Sequence, residues 1–160
     1  MSLEKSFAFY GSYHSNSVNK FIHLVCVPVI FTTSIEILNR FVFKTFIQTL
    51  VIFYALSFIR MHALAGIMYA PIIFGMYYLG ISVLPLYPMH SLILFIGSWI
   101  AQFIGHGIFE KRSPALLKNL PQSLHAAVFF VWLELLFIFG FEPSLKHKLD
   151  ELISKAQKKL

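Results

Sequence analysis

Histidines 14, 23 and 106 each stand four residues from a polar or charged side chain: Tyr10 precedes His14, Asn19 precedes His23, and Glu110 follows His106. On a helix that separation puts both residues on one face, and such a neighbour can fix the tautomer and ring direction a metal-ligating imidazole needs. The chain holds seven histidines against seven Asp and Glu together, and a single cysteine, Cys26. One cysteine makes neither a disulfide framework nor a thiolate metal site, so the donor set suits iron, zinc, copper or nickel rather than calcium or magnesium. Two histidines with one carboxylate, for which Glu110 is the obvious residue, would form a facial triad with open positions for iron and oxygen chemistry; an all-histidine site fits the composition equally well. For His62, His90, His125 and His147 the ordinary role is expected instead, a hydrogen bond to a helix end or a headgroup.

The elements that must position these residues are apolar. Hydrophobic residues make up 58% of the 160 and charged ones 12%, against roughly 45–50% and 25% in soluble domains. No Asp, Glu, Lys or Arg occurs from Met61 to Phe109, and mean hydropathy is +0.73. These values exclude a disordered chain and argue against a soluble globule. A hydrocarbon layer about 30 Å thick takes roughly 20 residues per helix, which leaves room for four or five crossings. The apolar blocks are Phe21–Leu38, interrupted by Pro28 and Glu36; Thr45–Ile59; Ala63 to about Leu84; Ser91–Phe109; and Leu124–Phe141, with Glu134 near its centre. Residues 5–19 read as a helix at the interface or leading into the first crossing. Pro85 and Pro88 impose a turn.

From Pro143 onward, Leu145, Leu149, Leu152, Ile153, Ala156 and Leu160 recur at helical spacing opposite lysines, the pattern of an interfacial amphipathic helix. The expected fold is therefore all-α: a polytopic membrane helix bundle of four to five transmembrane or re-entrant helices plus a C-terminal amphipathic helix, forming a single integral membrane domain over residues 1–160. The first residues lack a basic region followed by a long apolar core, so no cleavable signal peptide is expected. Net charge is +6, with Lys146, Lys148, Lys155, Lys158 and Lys159 after the last apolar block. Anionic lipid is the expected partner, not nucleic acid. With five crossings, His14, His23, His62, His106 and His125 fall on one face of the membrane, and His90 and His147 on the other. Glu134 is an intramembrane ionisable group and a functional candidate, or else a protonated carboxyl bonded to a neighbouring helix. Gly105 and Gly107 beside His106 would admit a close backbone approach.

Two motifs carry a resemblance. Tyr10-x-x-x-His14-x-Asn16-x-x-Asn19-x-x-x-His23 followed by Val27-Pro28, and Gln102-Phe103-x-Gly105-His106-Gly107-x-Phe109-Glu110-Lys111-Arg112-x-Pro114-Ala115-Leu116, resemble the 2-hydroxy fatty acid dioxygenase family. The likeness continues through Asn119-Leu120, Gln122-Ser123-Leu124 and Phe129-Phe130 to Glu134-x-Leu136-Phe137, and departs at Val128, where the family has proline. The resemblance implies a small membrane protein, of the endoplasmic reticulum if eukaryotic, that uses iron(II) and molecular oxygen in fatty acid α-oxidation. A long-chain 2-hydroxy fatty acid, such as one from phytosphingosine breakdown, would be cleaved between C1 and C2 to the acid one carbon shorter. The family's proposed iron ligands carry over onto His14, His23 and His106; His62 and His125 do not fall on family histidines and stay candidates only through the membrane face they share with those three. In this scheme Arg112 or Lys111 pairs the substrate carboxylate, and Glu110 orients His106 or acts as a base, so Glu110 and Arg112 are the expected catalytic residues. The rival readings are a non-catalytic lipid-binding or scaffold protein, and a small transporter with Glu134 and a histidine as proton relay. Transport would scatter polar residues through the bundle, whereas here they gather at one face.

Overall fold

A computed structural model describes residues 2–114, 116 and 118–158. Ala115 of the second motif and Lys159 and Leu160 of the basic tail lie outside the described residues. Among the described residues the regular structure is entirely helical: α1 (Leu3–Gly11), α2 (Ser17–Leu38), α3 (Lys44–Met61), α4 (Ala63–Tyr78), α5 (Pro88–Ile104), α6 (Leu120–Ile138) and α7 (Pro143–Gln157). A π-helical turn, Leu79–Val83, and a 3-10 turn, Leu84–Leu86, extend α4; a second π-helical turn, Gly105–Glu110, extends α5. Five of these segments are long and apolar enough to cross a membrane: Ser17–Leu38, Lys44–Met61, Ala63–Leu86, Pro88–Glu110 and Leu120–Ile138. The all-α membrane bundle read from composition is the observed fold.

Local chemistry sets the boundaries. Asn119 accepts the Gln122 N–H at 3.2 Å and caps α6. Pro88 opens α5, where its missing N–H would have had no helical partner anyway. Pro28, expected to interrupt the first block, lies inside a continuous α2. Threonine hydroxyls nearby bond back to the backbone, Thr32 to the Pro28 carbonyl at 2.8 Å and Thr33 to that of Val29 at 2.7 Å, the kind of accommodation apolar helices use around proline.

The chain divides into two compact units, Cys26–Ile100 and a second made of Met1–Val25 with Ala101–Leu160. In the first, α3 and α4 pack through Ile47, Val51, Ala55 and Phe58 against Ala65, Tyr69, Ile73 and Met76, rows at the three- and four-residue spacing of one helix face. A Cβ at Gly66 would strike the backbone of Phe58 and Ile59, so glycine lets the two helices meet at their tight connection. Glu36 is buried and paired with Arg40, one turn on, and accepts the Ser91 hydroxyl at 2.9 Å. It satisfies its charge inside the protein rather than by reaching the interface.

In the second unit α1 packs on α6 and α7. Phe7 lies 4.6 Å from Phe130 and 6.2 Å from Phe137 between ring centroids, and Tyr10 lies 4.7 Å from Phe130. Leu149 and Ile153 of α7 are buried, a Cβ at Gly11 would run into Ile153, and Lys148 pairs with Glu4 at 2.5 Å. The C-terminal amphipathic helix is present as expected, and its apolar residues Leu149 and Ile153 are buried against α1. Gly11 provides the space for Ile153.

Candidate metal centre

All three motif histidines belong to the second unit. His14 follows α1 in a turn whose backbone bonds run from Tyr13 to Tyr10 at 3.1 Å and from His14 to Gly11 at 3.0 Å. The Asn16 carboxamide caps α2 by accepting the Val18 N–H at 2.8 Å, which fixes the helix that carries His23. His106 sits in the π-helical turn that ends α5, a wider turn frequently found at functional sites.

The three imidazoles are buried together. Ring centroids are 4.5 Å apart for His14 and His23, 4.7 Å for His14 and His106, and 4.9 Å for His23 and His106. One ligand nitrogen from each lies within 4.8 Å of the other two. The His14 Nδ1–H donates to the Tyr10 carbonyl at 2.7 Å, and the His23 Nδ1–H donates to the Asn19 carbonyl at 2.9 Å. A carbonyl only accepts, so the proton sits on Nδ1 and Nε2 keeps a free lone pair, the tautomer a metal requires. His14 Nε2 and His106 Nδ1 are buried with no hydrogen-bond partner. Leaving such atoms unsatisfied costs about 1–3 kcal/mol each, and a shared cation would satisfy both. Burial, reinforced by His23, His106 and Lys20, holds the His14 imidazolium well below its usual pKa, which keeps this ring in the neutral, ligating form at neutral pH. Tyr10 stacks on it at 4.1 Å.

Glu110 clasps the end of α5 to the start of α2. Its carboxylate accepts the Ser15 hydroxyl at 2.7 Å, the Asn16 N–H at 2.9 Å and the Asn19 side-chain amide at 3.1 Å. Asn19 thus bonds Glu110 with its side chain and His23 with its carbonyl. The four-residue spacing suggested that Glu110 would face His106; among the described residues its hydrogen bonds go to Ser15, Asn16 and Asn19 instead. Its charge still acts on both His106 and His23. For His14 and His23 the helical spacing placed the correct residue, but a backbone carbonyl does the work. Gly105 admits the close approach expected of it, since a Cβ there would strike the Asn19 amide oxygen; at Gly107 a Cβ would meet open space.

Arg112 is exposed, and its backbone N–H bonds the His106 carbonyl at 3.4 Å. His125 lies on α6 and is not part of the three-histidine group. His62 caps α4, its ring accepting the Ala65 N–H at 3.3 Å. Glu134 is ion-paired with Lys20 of α2 at 3.0 Å, both partly exposed. Two further polar groups of this unit, Gln102 Nε2 and Ser123 Oγ, are buried without partners. They were not singled out as site residues, although both lie in the stretches that carry the resemblance.

A family model described as 2-hydroxy-palmitic acid dioxygenase Mpo1-like matches residues 1–139. The chain belongs to the Mpo1-like family. It is 36% identical over 171 aligned residues to the 2-hydroxy-palmitic acid dioxygenase MPO1 of Saccharomyces cerevisiae, covering all of this chain and 94% of the yeast protein. No solved structure matches it. The Mpo1-like region contains the whole histidine cluster with Glu110 and Arg112 and ends just after α6. Membership agrees with the resemblance carried by the two motifs.

Proposed function

We propose that this Mpo1-like protein is an iron(II)-dependent dioxygenase that converts long-chain 2-hydroxy fatty acids to fatty acids one carbon shorter. The observation that carries this reading is the convergence of three buried imidazoles, two of them with a ring nitrogen that no protein group satisfies. The activity in the name of the yeast relative supports the reaction class. In the proposal His14, His23 and His106 hold the ion. Iron there supplies a redox centre that activates oxygen beside the substrate's carboxylate and 2-hydroxyl.

The chain's own residues orient and protect. The Tyr10 and Asn19 carbonyls aim the His14 and His23 rings. Glu110 is a positioning residue, because its three bonds hold the end of α5 against the start of α2 and so set the distance between His106 and His23. Arg112 pairs the substrate carboxylate from the exposed end of α5. Phe130, 5.7 Å from His14, helps exclude water. A long acyl chain partitions into lipid, so a centre served by a membrane domain meets its substrate where that substrate is concentrated. In a eukaryotic cell we assign the protein to the endoplasmic reticulum membrane, acting in fatty acid α-oxidation and sphingolipid breakdown.

The test uses purified full-length protein in lipid nanodiscs. Ferrous iron is expected to bind the parent protein and to be lost when His14, His23 or His106 becomes Ala. Under oxygen, the parent protein is expected to convert 2-hydroxypalmitate to the fifteen-carbon acid. Iron retained by all three variants, or an unchanged hydroxy acid under reducing, iron-replete conditions, would leave a lipid-binding scaffold as the better reading.

A further inference from the structure

We propose that Gln102 selects the 2-hydroxy acid over the unsubstituted acid, its side-chain amide donating a hydrogen bond to the substrate's 2-hydroxyl; this assignment rests on the proposed reaction and names a group that recognises its substrate. Gln102 and the three histidines belong to one compact unit. Gln102 lies in the last turn of α5, four residues before His106, and is 8% exposed, yet its Nε2 is buried without a hydrogen-bond partner. The contacts of this segment with α2 give its level. Glu110 bonds Ser15, Asn16 and Asn19, whereas a Cβ at Gly105 would meet Asn19 and Ile22, so the two segments run antiparallel. One turn earlier still, Gln102 stands level with the turn of α2 that carries His23.

Elsewhere in this unit buried hydroxyls bond back to the backbone, Ser6 to the Ser2 carbonyl at 3.0 Å and Ser12 to that of Phe9 at 2.8 Å. Asn19 Oδ1, Gln102 Nε2 and Ser123 Oγ instead stay unpaired, as do His14 Nε2 and His106 Nδ1. Ser123, 2% exposed, stands on the face of α6 that turns Phe130 toward His14, two turns before that ring, with only Ala126 and Ala127 between them on this face. A cation takes lone pairs, so an ion held by the imidazoles leaves the Gln102 N–H unsatisfied. A carboxylate could accept from Gln102 but offers nothing to Asn19 Oδ1, which is itself an acceptor. A hydroxyl serves both. Gly105, against which Asn19 Oδ1 rests, is three residues from Gln102, or about 4.5 Å along the helix. A hydroxyl with two hydrogen bonds of about 2.8 Å spans such a gap.

A buried amide with no protein partner makes selection strict. An acid that carries the hydroxyl pairs the amide; one that lacks it leaves the amide desolvated and unpaired. Sites built to hydrogen-bond a substrate hydroxyl therefore reject analogues without it far more strongly than apolar pockets sort ligands by size. The same amide leaves the empty protein less stable, so recognition and stability oppose each other at Gln102. A structural water would reverse that sign, because it would tie the amide to the fold through further polar partners.

The test uses full-length protein in nanodiscs, as purified and under nitrogen so that nothing turns over. Dissociation constants for 2-hydroxypalmitate and for palmitate are read from the rise each causes in the thermal midpoint. The parent protein is expected to prefer the hydroxy acid. Gln102→Met should bind 2-hydroxypalmitate about tenfold or more weakly and palmitate within about threefold of the parent. Without ligand, its midpoint should lie above the parent's, because the unpaired amide is gone. Gln102→Asn keeps an amide but withdraws it by one methylene; it should lose the preference without that gain in midpoint. Iron binding, followed by competition with a chelator, should be unchanged in both variants. A preference retained by either variant, an equal loss for both acids, a lowered midpoint in Gln102→Met, loss of iron from the variants, or a parent that binds both acids alike overturns the assignment. The histidine-to-alanine variants test the iron separately, so failure of the proposed reaction and failure of this assignment are distinguishable.

Discussion

The tautomers of His14 and His23 are set by backbone carbonyls, so no side-chain substitution at Tyr10 or Asn19 removes those acceptors directly. Asn19 nevertheless matters through Glu110. We expect Glu110→Gln to weaken iron binding by about 10–100-fold, the usual consequence of disturbing a ligand's support, measured by competition with a chelator of known affinity. The three histidine-to-alanine changes should each abolish binding in the same assay. Gly105→Ala should weaken binding as well, since the added methyl group would displace the Asn19 amide, and overpacking of this kind costs about 1–3 kcal/mol. Substrate charge gives a further expectation. An ion with two positive charges is not neutralised by three uncharged rings, and the single negative charge of Glu110 leaves the site net positive. A free 2-hydroxy acid should therefore be consumed in preference to its methyl ester of the same chain length, as product analysis from an equimolar mixture would show. Equal consumption would mean that charge plays no part in recognition.

At the scale of helices, the ion pair between α2 and α6 and the apolar contact between α1 and α7 contribute very differently. Lys20 and Glu134 are partly exposed, and pairs of this kind are worth about 0–1 kcal/mol. Glu134→Gln is expected to leave turnover within a few-fold of the parent and the unfolding midpoint nearly unchanged; a total loss of activity would favour a proton-relay role instead. Leu149 is fully buried, and Leu149→Ala should cost about 2–5 kcal/mol, measured by denaturant unfolding in detergent. The apolar blocks were legible because the periodicity and length of a spanning helix are written in the residues that form it. What covers an amphipathic stripe is not: Leu149 and Ile153 state that α7 needs an apolar partner, but lipid and α1 satisfy the same pattern. The π-helical turn at Gly105–Glu110 was illegible for a related reason. Gly105 and Gly107 lower helix propensity there without specifying which irregularity results. Glu110 was thus found by its type and position, and its partners were not.

For the molecule as a whole, binding of the proposed metal is expected to be linked to folding. An ion that binds only the folded state stabilises it by about 2.7 kcal/mol at a hundredfold excess over its dissociation constant. Chelation should therefore lower the thermal midpoint of the nanodisc-embedded protein, and ferrous iron should restore it; the His23→Ala variant should start at the lower value and respond to neither treatment. The chain's two ends are joined by the pairing of Glu4 with Lys148 and by the packing of Gly11 against Ile153, and that has a consequence for synthesis. His14 and His23 leave the ribosome well before Phe130, which packs against His14. At 5–20 residues per second the interval is on the order of ten seconds, during which the nascent α1 has an uncovered apolar face and the first two ligands stand open. The proposed centre can close only once α6 has been made, and a chain released before that point would carry His14 and His23 without the aromatic wall that covers them.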